Sequence, residues 1–109
     1  MSRRITLPRH SGLDVTQKVI EALADSDARS ILLSTVRRAQ SATSLAALLK
    51  MPMSTVYKKL GDLETLTLLI VEEELLTRKG RNIKMYRSRI RGATIEIRAG
   101  APRLKLVPR

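Results

Sequence analysis

The sequence predicts an α+β fold in which a helical half is followed by two β-hairpins. Three observations carry this. Apolar residues recur at helical spacing between residue 13 and about residue 66, the spacing then falls to a period of two, and breakers such as Asp25, Pro52 and Gly80 stand between the segments. At 109 residues the chain is long enough for one domain with a modest core.

Residues 1–12 hold Arg3, Arg4, Pro8, Arg9 and Gly12 without apolar periodicity and are expected to form a flexible basic arm. Val15, Val19, Ile20 and Leu23 then mark one side of a helix ending near Ala24. Asp25-Ser26-Asp27 supplies a break and an N-cap for a second helix, expected to run to about Ala39 with Ile31, Leu32 and Val36 inward. Arg37 and Arg38 would then suit the negative end of its macrodipole. Ser41 or Thr43 can cap a short third helix that turns Leu45, Ala46, Leu48 and Leu49 inward. Met51-Pro52-Met53 cannot continue it, because Pro52 lacks a donor and restricts Met51. Ser54 is the expected cap of a fourth helix buried along Val56, Leu60, Leu63 and Thr67.

Residues 69–76, LIVEEELL, read as a strand, and residues 84–90, KMYRSRI, alternate with a period of two. Between them Thr77-Arg78-Lys79-Gly80-Arg81-Asn82 makes a basic turn in which Gly80 and Asn82 can take positive φ. Residues 94–98 and 103–107 flank a Gly/Pro stretch and suggest a C-terminal hairpin. Helix, short helix, tight turn, helix and basic hairpin is the order of a winged helix-turn-helix. The expected division is an arm at 1–12, a winged helix-turn-helix domain at 13–90 and a β extension at 91–109.

Charge points to the partner. The net charge is +11, and it is distributed unevenly: +3 over residues 1–10, −2 over residues 11–77 and +10 from residue 78 onward. Cations gathered at the ends of a nearly neutral domain favour a polyanion, through release of the counterions condensed on phosphates. Only Tyr57 and Tyr86 are aromatic, too few for a module that stacks single-stranded bases, so the expected polyanion is a duplex.

On the fourth helix, Ser54, Thr55, Lys58, Gly61 and Asp62 fall opposite the buried stripe, with Tyr57 and Lys59 flanking. The hydroxyls of Ser54 and Thr55 and the ammonium of Lys58 are therefore the candidate major-groove contacts, and Arg78, Lys79 and Arg81 the candidate contacts of the wing to the adjacent minor groove or its phosphates.

Other chemistries have little support. The chain has no cysteine, so disulfides, thiolate metal sites and a Cys nucleophile are excluded. His10 stands alone in the arm, Asp25 and Asp27 are better read as caps than as a catalytic pair, and no nucleophile-base pair or phosphate-cradling loop is visible. Glu72 and Glu74 share a strand face, with Glu73 opposite, and read as solvated acids or partners for nearby arginines. No metal, cofactor, small-molecule ligand or enzymatic activity is expected. Neither a membrane span nor a secretory signal is visible, and the default compartment is the cytoplasm, on the nucleoid.

Ala22-Leu23-Ala24-Asp25 with Arg29, Ile31 and Leu32, then Ser44-Leu45-Ala46, Ser54-Thr55-Val56-Tyr57-Lys58-Lys59-Leu60, Leu63-Glu64 and Tyr86-Arg87-Ser88, resemble the ArsR-like winged-helix regulators, especially archaeal members. The resemblance covers about residues 13–90. It implies a transcriptional regulator, commonly a homodimer on a two-fold operator, with Ser54, Thr55, Tyr57, Lys58 and Lys59 facing DNA. Two departures stand out: Thr67 lies near the place where many relatives end the recognition helix on Gly, and the cysteine-rich metal-sensing motif is absent. The alternatives are an architectural protein that coats DNA with little sequence preference, and a winged-helix module that binds an acidic protein. Dimerisation is expected through the helix at 13–24, the C-terminal hairpin, or both.

Overall fold

The computed structural model describes residues 12–100 and 102–109. Their elements run in the order α1 (Gly12–Ala24), α2 (Ser26–Ser34), β1 (Gln40–Ser41), α3 (Ala42–Leu49), α4 (Met53–Thr65), β2 (Leu69–Leu76), β3 (Asn82–Ser88), β4 (Ile90–Glu96) and β5 (Arg103–Pro108). The arm expected at residues 1–12 lies, but for its last residue, outside the described residues.

The breaks between helices follow from local chemistry. Asp25 adopts an extended conformation between α1 and α2, and its carboxylate accepts a bond from the Ala28 amide at 2.8 Å. Ser41 does the same for α3, accepting from the Ser44 amide at 3.0 Å, so Ser41 rather than Thr43 is the cap. The entry to α4 differs from expectation. Pro52 holds the N-cap position, with its carbonyl accepting from the Val56 amide and no side-chain cap, and Ser54 lies inside the first turn. Proline's fixed φ suits the entry to a helix, and its ring offers no acceptor for the amides that follow.

Helix α2 stops at Ser34, five residues short of the expected end. The Thr35 hydroxyl bonds back to the carbonyls of Ile31 and Leu32, and the Val36 and Arg37 carbonyls accept from Arg87 rather than from helical amides. Val36 is thus half-buried off the helix, and Arg37 and Arg38 are exposed in a loop instead of facing a helix terminus. In α3, Ala42 and Leu45 are buried, Ala46 and Leu49 half-buried, and Leu48, on the flank, stays exposed against expectation.

Beyond α4 the chain closes a Schellman turn: the Thr67 amide donates to Glu64 at 2.9 Å and the Leu68 amide to Leu63 at 3.0 Å. Thr67 therefore leaves the helix instead of extending its buried stripe, and takes a φ of +59°.

Strands β2 and β3 form an antiparallel hairpin, which β1 extends by pairing with β3 to give the order β1-β3-β2. A register shift between Val71 and Glu73 interrupts the alternation, so Glu72 no longer shares a face with Glu74. Its carboxylate pairs with Arg87 at 2.9 Å, while Glu74 stands opposite Lys84. At the hairpin tip Gly80 takes φ +77°, whereas Asn82 already belongs to β3.

The strand expected over 84–90 divides after Ser88. The buried Ser88 hydroxyl donates to the Ile90 carbonyl and accepts from its amide, and the Ser88 amide donates to Thr35. These bonds turn the chain out of the first sheet, and Ile90 opens β4, which pairs antiparallel with β5 as a separate C-terminal ribbon. One core joins both halves, with Val19, Ile31, Leu45, Val56, Leu60, Leu63, Leu68 and Leu69 at its centre and Tyr86, Ile90 and Leu106 completing it. The molecule is a winged helix-turn-helix with a C-terminal β-hairpin.

Candidate nucleic-acid interface

Helix α4 buries Val56, Leu60 and Leu63, and this leaves the opposite face in solvent. Ser54, Lys58, Gly61 and Asp62 are exposed there, Thr55 is half-buried, and Tyr57 is 56% exposed. Because Pro52 offers no side-chain acceptor, the first amides of α4 keep no side-chain cap, unlike those of α2 and α3. Uncapped amides at the positive end of a helix are donors suited to a phosphate oxygen.

The wing approaches this helix from the side. Tyr57, the start of α3 (Ala42, Thr43) with Ser41, and the hairpin residues Arg78, Lys79, Arg81, Lys84 and Tyr86 line one cleft of about 740 Å³. Three contacts stiffen the tip: the Thr77 amide donates to the Arg81 carbonyl, the Gly80 amide to the Thr77 carbonyl, and the Arg81 amide to the Thr77 hydroxyl. Arg78, Lys79 and Arg81 are thereby held exposed on a defined turn. Among the described residues none of these three side chains, nor those of Lys84 and Lys58, has a hydrogen-bond or ion-pair partner.

The eight candidate residues are therefore placed unequally. Tyr57 and the wing trio share the cleft; Ser54, Thr55 and Lys58 lie along the neighbouring face of α4. Lys59 is engaged elsewhere, its ammonium 3.1 Å from the Asp25 carboxylate at the α1–α2 junction. The Ala28 amide, and after it Lys59, holds the Asp25 carboxyl below its ordinary range. Ser41 and Thr43, expected only as candidate caps, and Lys84, expected only as part of a strand, also line the cleft. Lys84 could have been found by counting strand faces, since it stands two residues from Tyr86. Thr43 carried no comparable signal, because its place depends on how α3 docks.

Burial, and then the negative charge of Glu64, raise the Tyr86 phenol, so its hydroxyl remains a donor well into alkaline pH. Arg87, which belongs to the same strand, does not serve the cleft: its guanidinium clamps the Val36 and Arg37 carbonyls and Glu72. Among the described residues no group of three or more His, Cys, Asp or Glu side chains could hold a metal ion, and no helix is long and apolar enough to cross a membrane.

No protein-family model matches the sequence, and no curated protein matches it. The fold does have a likeness among solved structures. Reduced HlyU from Vibrio cholerae N16961 superposes with a TM-score of 0.57 at 17% sequence identity, over 69% of this chain and 73% of that one. The likeness is one of winged-helix architecture.

Proposed function

We propose that this protein is a double-stranded-DNA-binding transcriptional regulator of the ArsR-like kind, archaeal in type, acting as a homodimer on a two-fold operator. The observation that carries the reading is the shared placement of an uncapped, exposed helix start and an unpaired basic hairpin tip on either side of Tyr57. A helix end of this width fits the major groove, and a basic tip beside it reaches the adjacent minor groove or its phosphates. In this reading Ser54, Thr55, Tyr57 and Lys58 face base edges and nearby phosphates, Arg78, Lys79 and Arg81 bind along the wing, and Lys84 with Thr43 lines the path of the backbone between them. Lys59, already paired with Asp25, contributes least.

The function is binding rather than catalysis, requires no cofactor, and belongs on the nucleoid in the cytoplasm. Selection from a random duplex pool tests it, followed by titration of enriched and scrambled duplexes across salt concentrations. An enriched inverted repeat supports a regulator that reads two half-sites. Equal affinity for all duplexes, with a steep salt slope, would make the protein an architectural coat instead, and absence of duplex binding at low salt would remove DNA as the partner.

A further inference from the structure

Both aromatic residues of the chain, Tyr57 and Tyr86, line the cleft between α4 and the wing, but they do so differently. Tyr57 is 56% exposed, whereas Tyr86 is only 6% exposed and its ring completes the core. The Tyr86 hydroxyl nevertheless bonds to none of the described residues. The fold treats its other buried hydroxyls otherwise: Thr35 donates to the Ile31 carbonyl, and Ser88 exchanges bonds with Ile90. No side-chain oxygen or nitrogen sealed from solvent lacks a partner among the described residues. The Tyr86 hydroxyl must therefore reach the open side of the residue, and that side is the cleft. A donor on a buried ring, left without an acceptor in the chain, calls for an acceptor from outside.

The surroundings say what kind of acceptor it is. Asn82, Lys84 and Tyr86 alternate along one face of β3, and all three line the cleft. Gln40 pairs with Tyr86 across the sheet, so α3, which opens at Ala42, begins beside this strand with its positive end in the cleft wall. At that end the Ser41 and Ser44 side chains are committed within the cap, Ser41 to the Ser44 amide and Ser44 to the Gln40 side chain. The exposed Thr43 hydroxyl has no partner among the described residues. Two neutral donors thus stand in a wall whose charged members are Arg78, Lys79, Arg81 and Lys84. The acids whose charge the phenol feels, Glu64 and Glu74, are exposed and form no part of the cleft lining. An anionic oxygen suits such a wall, and the phenol keeps its proton to donate to it.

We propose that Tyr86 is a phosphate-positioning residue: its hydroxyl, with that of Thr43, donates to one backbone phosphate of the bound duplex where the strand passes between α4 and the wing, while Lys84 supplies charge beside it. This deepens the functional reading above and rests on it. The tips of lysine and arginine are long and can follow a phosphate as it moves. The phenol cannot, because its ring is packed in the core. A fixed donor sets where the backbone lies against α4, whereas the wing cations supply attraction without fixing its place.

Binding of a labelled mixed-sequence duplex to the full chain, measured over a series of salt concentrations, tests it. Tyr86→Phe deletes the hydroxyl alone and leaves the ring in the core, so the melting temperature of the free protein should hold. Its duplex affinity is expected to fall roughly tenfold at every salt concentration, the scale of one hydrogen bond to a charged acceptor. The salt slope should not change, because a neutral donor releases no counterion, whereas Lys84→Ala should flatten it by about 0.9. Thr43→Val should act as Tyr86→Phe does, with a smaller loss because its hydroxyl is exposed. A Tyr86→Phe variant that binds as the wild type does overturns the proposal. So does one whose loss of affinity comes with a lowered melting temperature, since the hydroxyl would then hold the fold rather than the phosphate. Failure of the wild type itself to bind duplex at low salt is a distinct result, which removes the functional reading and this proposal with it.

Discussion

Thr67 occupies the position where a helix ending in a Schellman turn ordinarily takes glycine, and it does so with a β-branched side chain at φ +59°. Both hydrogen bonds of the turn are made, and Leu63 and Leu68 are fully buried on either side of it, so packing holds the residue in a conformation it disfavours. Replacing it relieves that strain at the entropic cost of a glycine. Thr67→Gly is expected to stabilise the domain by about 0.5–1 kcal/mol, read as a higher denaturant midpoint at unchanged slope; a lower midpoint would show that the side chain matters more than the backbone. Asp25 is the second residue with a measurable signature. Its folded pKa lies below the ordinary 3.8, so its charge contributes stability that is complete above the unfolded pKa and is lost as pH falls through the folded one. Asp25→Asn keeps an oxygen for the Ala28 amide but loses the attraction to Lys59. The variant should be less stable than wild type at neutral pH, by well under about 1 kcal/mol since the pair is partly exposed, and the difference should vanish in strong acid. A difference that persists at low pH would mean that geometry, not charge, is what Asp25 supplies.

At the scale of elements, what the sequence revealed and what it concealed divide by range of interaction. The breaks at Asp25, Ser41 and Pro52 were legible because a cap or a missing donor acts within a few residues. The end of α2 was not, because Val36 sits at correct helical spacing and its carbonyl is claimed by Arg87, fifty-one residues away. The bulge at Glu72 and the turn-out at Ser88 were hidden for the same reason, as both depend on which strand or loop lies alongside. The exposed face of α4 followed from periodicity alone, whereas the assignment of Lys59 did not anticipate Asp25, which α4 meets only after docking on the α1–α2 junction. The wing and α4 should separate in experiment as they do in structure. If the wing binds phosphate as proposed, alanine at Arg78, Lys79 or Arg81 removes one such contact, so affinity should fall by a similar factor for every duplex, with the salt slope reduced by about 0.9 for each. Alanine at Thr55 or Lys58 should instead narrow the gap between enriched and scrambled duplexes. Loss of selectivity from the wing substitutions would reverse these roles.

Over the whole molecule, the net charge of +11 overstates the number of cations free to contact a polyanion. Several cations act as internal ties: Arg87 holds the loop after α2, Arg89 donates to the Thr67 carbonyl, Arg109 donates to Ser88, Arg29 anchors on the end of α1, and Lys59 pairs with Asp25. Their guanidinium and ammonium groups stabilise the fold in place of binding phosphate. Five described cations remain unpaired around the cleft and the exposed face of α4: Lys58, Arg78, Lys79, Arg81 and Lys84. Counterion release by five contacts predicts that log K falls against log salt with a slope of about −4.5 per bound chain. The ribbon cations Arg91, Arg103 and Lys105 lie outside that cleft and should not add to the slope. Titration of an enriched duplex over a salt series, repeated with Arg103→Ala and Lys105→Ala together, measures both quantities. A slope near the predicted value that is unaffected by the double substitution places the phosphates on the α4–wing side alone. A slope about twice as steep, falling when the ribbon loses its charges, would put the ribbon against DNA as well.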